Sequence, residues 1–216
     1  MTRVKICGVT TPRDAVLCDT TGADLIGVVL TGSPREISPE QARSVREAVP
    51  QARLVGVMRD GEATRLARRA HVAGLDVIQL HDCADPDRWR AVAAAADRPV
   101  LPAVTADDAD RAIAAVSAAV DLPLEGLLLD LAKGRAATAV DRDRLWAAAR
   151  RAVAAGVPVF LAGSLGVRDV APALARVRPY GLDVCRGTER APGEKSPDLV
   201  SRFLAAVRSP EVNRAW

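Results

Sequence analysis

The chain has 216 residues, 49% of them apolar and only 3% aromatic, with 30 Lys and Arg against 27 Asp and Glu for a net charge of +3. That length supports one full-sized core, so residues 1–216 are expected to form one domain; the interleaved charges and scarce aromatics exclude a basic nucleic-acid footprint, and no apolar run reaches the roughly 18 residues of a membrane span. The four cysteines (Cys7, Cys18, Cys83, Cys185) show no CxxC or zinc spacing and the first residues no targeting pattern, so a cytoplasmic protein without disulfide framework, metal or other cofactor is expected.

Short β-branched runs alternate with longer Ala/Arg-rich segments of helical period. The runs predict strands over 3–7, 25–30, 53–57, 76–80, 99–103, 126–130, 158–162 and 181–184. Between them helices are expected near 12–21, 39–49, 61–73, 86–96, 107–118, 141–155, 167–175 and 196–207. Ser38-Pro39 and Ser196-Pro197 place a capping residue before a proline at the first helical position. A weak repeat, Gly22-Ala23-Asp24-Leu25, Gly74-Leu75-Asp76-Val77 and Gly181-Leu182-Asp183-Val184, is read as three handovers from helix to strand. Eight βα units predict an α/β fold, a (β/α)8 TIM barrel with short loops. An open doubly wound sheet is the other arrangement, but the first βα turn, Cys7-Gly8-Val9-Thr10-Thr11-Pro12, lacks the glycine spacing of a dinucleotide fingerprint.

In such a barrel chemistry sits where strands end. Those ends carry Cys7, Ser33-Pro34-Arg35, Met58-Arg59-Asp60, His81-Asp82, Asp130, Gly163-Ser164 and Cys185-Arg186-Gly187. Cys7 is either a reactive thiol or a small hydrophobe. If it faces the barrel mouth, strand alternation puts Lys5 on the same side, and Asp183 on the neighbouring strand is a plausible partner. A cation there favours the thiolate; the alternative is that Lys5 only closes the barrel. Asp130 suits a general acid or caps the next turn. Gly163, Ser164 and Gly187 follow strands 7 and 8, a common phosphate site, and Arg186 adds a cation there. Arg35 either holds an anionic group of the substrate or is an ordinary surface arginine. His81 lines the mouth or orients its loop, His71 is structural, and Cys18 is core.

Together these segments resemble the phosphoribosylanthranilate isomerase family of tryptophan biosynthesis, nearly end to end. The resemblance runs through Val4-Lys5-Ile6-Cys7-Gly8-Val9-Thr10, Gly22-Ala23-Asp24-Leu25-Ile26-Gly27, Ser33-Pro34-Arg35 and Val55-Gly56-Val57. It continues with Gln79-Leu80-His81, Leu128-Leu129-Asp130, Leu161-Ala162-Gly163-Ser164-Leu165, Asp183-Val184 through Gly187, Glu189, Gly193 and Lys195-Ser196-Pro197. The family's reaction is an Amadori rearrangement of an N-linked phosphoribosyl aminoaldose to a 1-amino-1-deoxyribulose phosphate, without metal or redox cofactor. The resemblance implies Cys7 as base and Asp130 as acid, Arg35 at the anthranilate end, and the loops after strands 7 and 8 at the phosphate of a small-molecule substrate. A one-domain barrel of this size leaves monomer and homodimer both open.

Three segments depart from the family's pattern. A glycine-rich loop is replaced by Gly134-Arg135-Ala136-Ala137-Thr138-Ala139-Val140-Asp141, which predicts a stiffer, differently charged cover. Gly-Gly after strand 7 is Gly163-Ser164, and Ser-Ser-Gly after strand 8 is Cys185-Arg186-Gly187. These departures leave room for a paralogue acting on another phosphorylated aminosugar. A silent barrel that only binds a phosphorylated ligand is the reading from another class, and Cys7 with Asp130 argues against it.

Overall fold

The computed structural model describes residues 1–59, 61–119, 121–132 and 138–209; Asp60 and the segment Gly134–Ala137 of the departing loop lie outside the described residues. Eight parallel strands close into one barrel: β1 (Arg3–Ile6), β2 (Leu25–Val29), β3 (Arg53–Met58), β4 (Val77–His81), β5 (Val100–Val104), β6 (Leu127–Leu129), β7 (Val159–Leu161) and β8 (Gly181–Val184). Each is followed by a helix: α1 (Pro12–Thr21), α2 (Pro39–Ala48), α3 (Ala63–Ala73), α4 (Pro86–Ala96), α5 (Ala109–Ala118), α6 (Ala139–Ala154), α7 (Val167–Val177) and α8 (Pro197–Arg208). No described helix is long and apolar enough to cross a membrane.

Local chemistry sets these boundaries. Four helices open on proline behind a capping side chain, at Thr11, Ser38, Asp85 and Ser196, which satisfies a free N–H while proline gives up one that had no partner. Strand alternation sorts the apolar residues into two layers. Leu25, Val55, Val77, Leu101, Ala103, Leu128, Phe160 and Ala162 fill the inside of the barrel. The larger cluster lies between sheet and helices and contains Cys18, as expected. β1 alone turns a lysine inward, since Lys5 has no solvent exposure.

The repeat is twofold, not threefold. Gly22 and Gly74 close α1 and α3 in the left-handed conformation, with φ of 97° and 69°. Asp24 then accepts the N–H of Val4 and Asp76 that of Leu54, each at 2.7 Å, so one carboxylate locks a strand start to its neighbour twice. The expected third copy begins inside β8; α7 is closed by Arg178 instead, and Asp183 lies in the strand interior. The region between β8 and α8 also folds into a 3-10 turn (Arg186–Thr188) and an antiparallel hairpin of β9 (Glu189–Ala191) and β10 (Glu194–Lys195).

Candidate active site

The ion pair expected across β1 and β8 is present. Lys5 stands opposite Asp183 in the ladder, and its Nζ donates to Asp183 Oδ1 at 2.7 Å. Burial would pull the ammonium's pKa down, but Asp183 and Cys7 outweigh it and hold Lys5 above its ordinary value. Gly27 on β2 makes the room: a Cβ there would stand 3.0 Å from Cys7 Sγ and 3.1 Å from Lys5 Nζ. Cys7, next on the inner face, packs with Val29 and Val57, and Cys185 packs against all three. The adjacent Cys185 thiol, ahead of the Lys5 charge, draws the Cys7 thiol below its ordinary range against the opposing effect of burial. Cys185, whose Sγ lies 3.6 Å from Glu189 Oε1, is pushed the other way, up, by the adjacent Cys7 and by burial.

Below this pair, Glu189 acts as a hub. Arg35 grips it in fork geometry, Nε to Oε1 at 2.8 Å and Nη2 to Oε2 at 2.6 Å. Lys195 Nζ donates to Oε1 at 3.2 Å, and the Gly193 N–H at 3.3 Å. Burial would raise the Glu189 carboxyl, but Arg35 and Lys195 outweigh it, so its pKa falls. Lys195 is itself buried, and its strongest bond is to the carbonyl of Cys7, at 2.6 Å. Arg35 therefore has two donors committed within the protein rather than projecting freely.

Across the ring, three strands from β1 by way of β8 and β7, Asp130 stands just beyond the end of β6. Its Oδ1 accepts the N–H of Leu131 at 2.8 Å, and its Oδ2 lies 3.9 Å from His81 Nε2. Asp82, in the left-handed region, carries the chain away from His81 and pairs with Arg59 at 3.4 Å. A small cleft of about 50 Å³ opens beside Asp130, between Thr105, Leu131, Asp141 and Arg144. Asp141 is a capping-box residue, exchanging bonds with Thr138 at the start of α6.

The loops after β7 and β8 meet at the rim. Gly163 and Ser164 are both left-handed (φ 97° and 60°), and Arg186 donates from Nη2 to the Ser164 hydroxyl. Gly187 is required by crowding, because a Cβ there would come within 2.1 Å of the Leu165 carbonyl. His71 is exposed in the last turn of α3, and Cys83 belongs to its own loop, where its carbonyl accepts from Trp89. Among the described residues no group of three His, Cys, Asp or Glu side chains converges as a metal site.

Sequence reasoning paired Lys5 with Asp183 but missed Cys185, Glu189 and Lys195 as the surroundings of Cys7. A signal existed for Cys185: two residues after an inward Asp183, it returns to the inner face opposite Cys7.

A closed parallel barrel with a thiol and a carboxyl on one rim defines a barrel enzyme acting on a small molecule at its strand ends. The family model for N-(5'phosphoribosyl)anthranilate (PRA) isomerase matches residues 4–206. The N-(5'-phosphoribosyl)anthranilate isomerase of Citrifermentans bemidjiense is 36% identical over 210 residues, 96% of this chain and 98% of that protein. The crystal structure of phosphoribosyl anthranilate isomerase from Thermotoga maritima superimposes with a TM-score of 0.83 at 29% identity, covering 96% of this chain and 99% of that one. Another phosphoribosyl anthranilate isomerase, in complex with reduced 1-(o-carboxyphenylamino)-1-deoxyribulose 5-phosphate, gives 0.79 at 28% identity, covering 96% and 99%. The chain belongs to the N-(5'-phosphoribosyl)anthranilate isomerase family.

Proposed function

We propose that this protein isomerises N-(5'-phosphoribosyl)anthranilate to 1-(o-carboxyphenylamino)-1-deoxyribulose 5-phosphate, a step of tryptophan biosynthesis. Asp130 acts as the acid, giving its proton to the furanose ring oxygen as the C1–O bond breaks and an imine forms. Cys7, as thiolate, removes the proton from C2, and the electron pair shifts to give an enolamine. Tautomerisation of the enolamine gives the ketone; Cys7 then releases to solvent the proton it took and Asp130 takes one back, so both side chains return to their starting states with no net change in atoms. Lys5, held in place by Asp183, steadies the thiolate. His81 lies along the mouth beside the acid. Gly163, Ser164, Arg186 and Gly187 take the phosphate, and Arg35 takes the anthranilate carboxylate, held in reach by Glu189. The reading extends to a cytoplasmic enzyme of one domain, monomer or homodimer, with no cofactor.

What supports this most is the state of Cys7: a buried thiol at a strand end whose surroundings favour its anion serves a base better than a packing residue. The test is to generate the substrate enzymatically and follow the loss of its fluorescence. No turnover by folded protein would remove the reading. A paralogue acting on another phosphorylated aminosugar is favoured by one observation, the Arg186–Ser164 contact across the phosphate loops. Improved turnover of the anthranilate substrate by Arg186→Ser would support that second reading.

A further inference from the structure

We propose that Cys185 is a positioning residue whose thiol donates its hydrogen to Cys7 Sγ and so holds Cys7 as the anion that abstracts the substrate proton; this rests on Cys7 being the base. The register carries the two side chains together. Lys5 stands opposite Asp183 and Ile6 opposite Val184, and the N–H of Cys7 continues the ladder to Val184 O at 2.8 Å. Adjacent strands run about 4.8 Å apart, so the next pair, Cys7 and Cys185, meets on the inner face. Lys195 tethers both backbones, donating to Cys7 O at 2.6 Å and to Cys185 O at 3.3 Å. Gly8 leaves the space that the second sulfur fills, since a Cβ there would stand 2.7 Å from Cys185 Sγ.

Cys185 has one hydrogen and two acceptors in reach. Glu189 Oε1 lies at 3.6 Å but already receives Arg35, Lys195 and the Gly193 N–H. The Cys7 sulfur is the less crowded acceptor. Burial and the nearby Glu189 charge also keep Cys185 itself protonated, so the two thiols divide the work: one ionises and the other donates. The other charged groups around Cys7 are Lys5 and Asp183 on the facing strands, Lys195 from the hairpin and Arg35 from the loop after β2. Replacing Cys185 keeps all of these side chains, and the charged group that Cys185 itself contacts is Glu189, at 3.6 Å.

The test uses the full chain with Cys185→Ala, Cys185→Val and Cys185→Ser. Alkylation of Cys7 by iodoacetamide, followed by peptide mass spectrometry across a pH series, reads its ionisation without reference to catalysis. The apolar variants should raise the midpoint by about one to two pH units, the scale of one charge-assisted hydrogen bond, and the acid limb of kcat/KM should move with it. Serine, which keeps a donor, should restore the midpoint to within about half a unit of the parent. Valine replaces the apolar volume, so it shows the same shift should alanine unfold the rim. A midpoint unmoved in the apolar variants, or moved as far by serine as by alanine, overturns the proposal. A midpoint that rises while the kcat/KM limb stays put upholds the donor and removes Cys7 as the base.

Discussion

The two ends of the barrel use the same groups, carboxylate and cation, for opposite ends. Where strands start, Asp24 pairs with Arg208 and Asp76 with Arg46, and each carboxylate also holds a backbone N–H of the preceding strand. These carboxylates are a third to nearly half exposed, and water shares their charge. Where strands finish, Lys5 and Lys195 are wholly buried and their partners nearly so. Coulomb energy rises several-fold when water is excluded. At the strand starts charge therefore fastens backbone; at the strand ends it favours the anion of a buried thiol. Position along the strand, not residue type, separates structure from chemistry.

The largest effect that could break this contrast is Lys5→Met. It leaves Asp183 buried without its cation and should cost about 3–5 kcal/mol in a denaturant melt. With the cation gone, the Cys7 thiolate also loses support, so the acid limb of kcat/KM should move toward the ordinary thiol value of 9.0. Next come Cys7→Ala and Asp130→Asn, each expected to lower kcat/KM by about 100-fold or more while leaving the melt nearly unchanged. A near-parental Cys7→Ala enzyme would end the base assignment.

At the other end, Asp76→Ala should cost about 1–2 kcal/mol, through the Leu54 N–H and Arg46, with kcat/KM unaltered. An activity loss there would blur the division between the ends. The smallest effects are in pH slope. Glu189 has a lowered pKa, so its contribution is present above the unfolded value of 4.5 and is lost as pH falls through the folded one. Glu189→Gln should flatten acid destabilisation. Glu125, near the strand starts, is raised by burial, so its protonation favours the fold as pH falls; Glu125→Gln should steepen it. Urea melts across a pH series would read both signs.

Much of the barrel was legible because its punctuation is local. Proline behind Ser38 or Ser196 and β-branched runs placed most boundaries within a residue or two. The twofold Asp24/Asp76 device was over-read at Asp183 because Gly-Leu-Asp-Val looks the same at a strand start and in a strand interior; only the barrel register tells them apart. The β9–β10 hairpin left no alternation to read, being two short, charged strands around Pro192-Gly193. Of the site, Lys5 followed from alternation, and Asp183 from the neighbouring of strands 1 and 8 in a closed barrel. Glu189 and Lys195 did not, because their partners lie up to 188 residues away and depend on closure of the ring.

The bond from Lys195 to the carbonyl of Cys7 has a consequence for biosynthesis. The thiol leaves the ribosome 188 residues before the ammonium that fastens its carbonyl. Any shortened translation product that stops before the hairpin therefore carries the thiol without its setting. The setting of the thiol is therefore completed late in folding, once β1 and the hairpin after β8 have found each other.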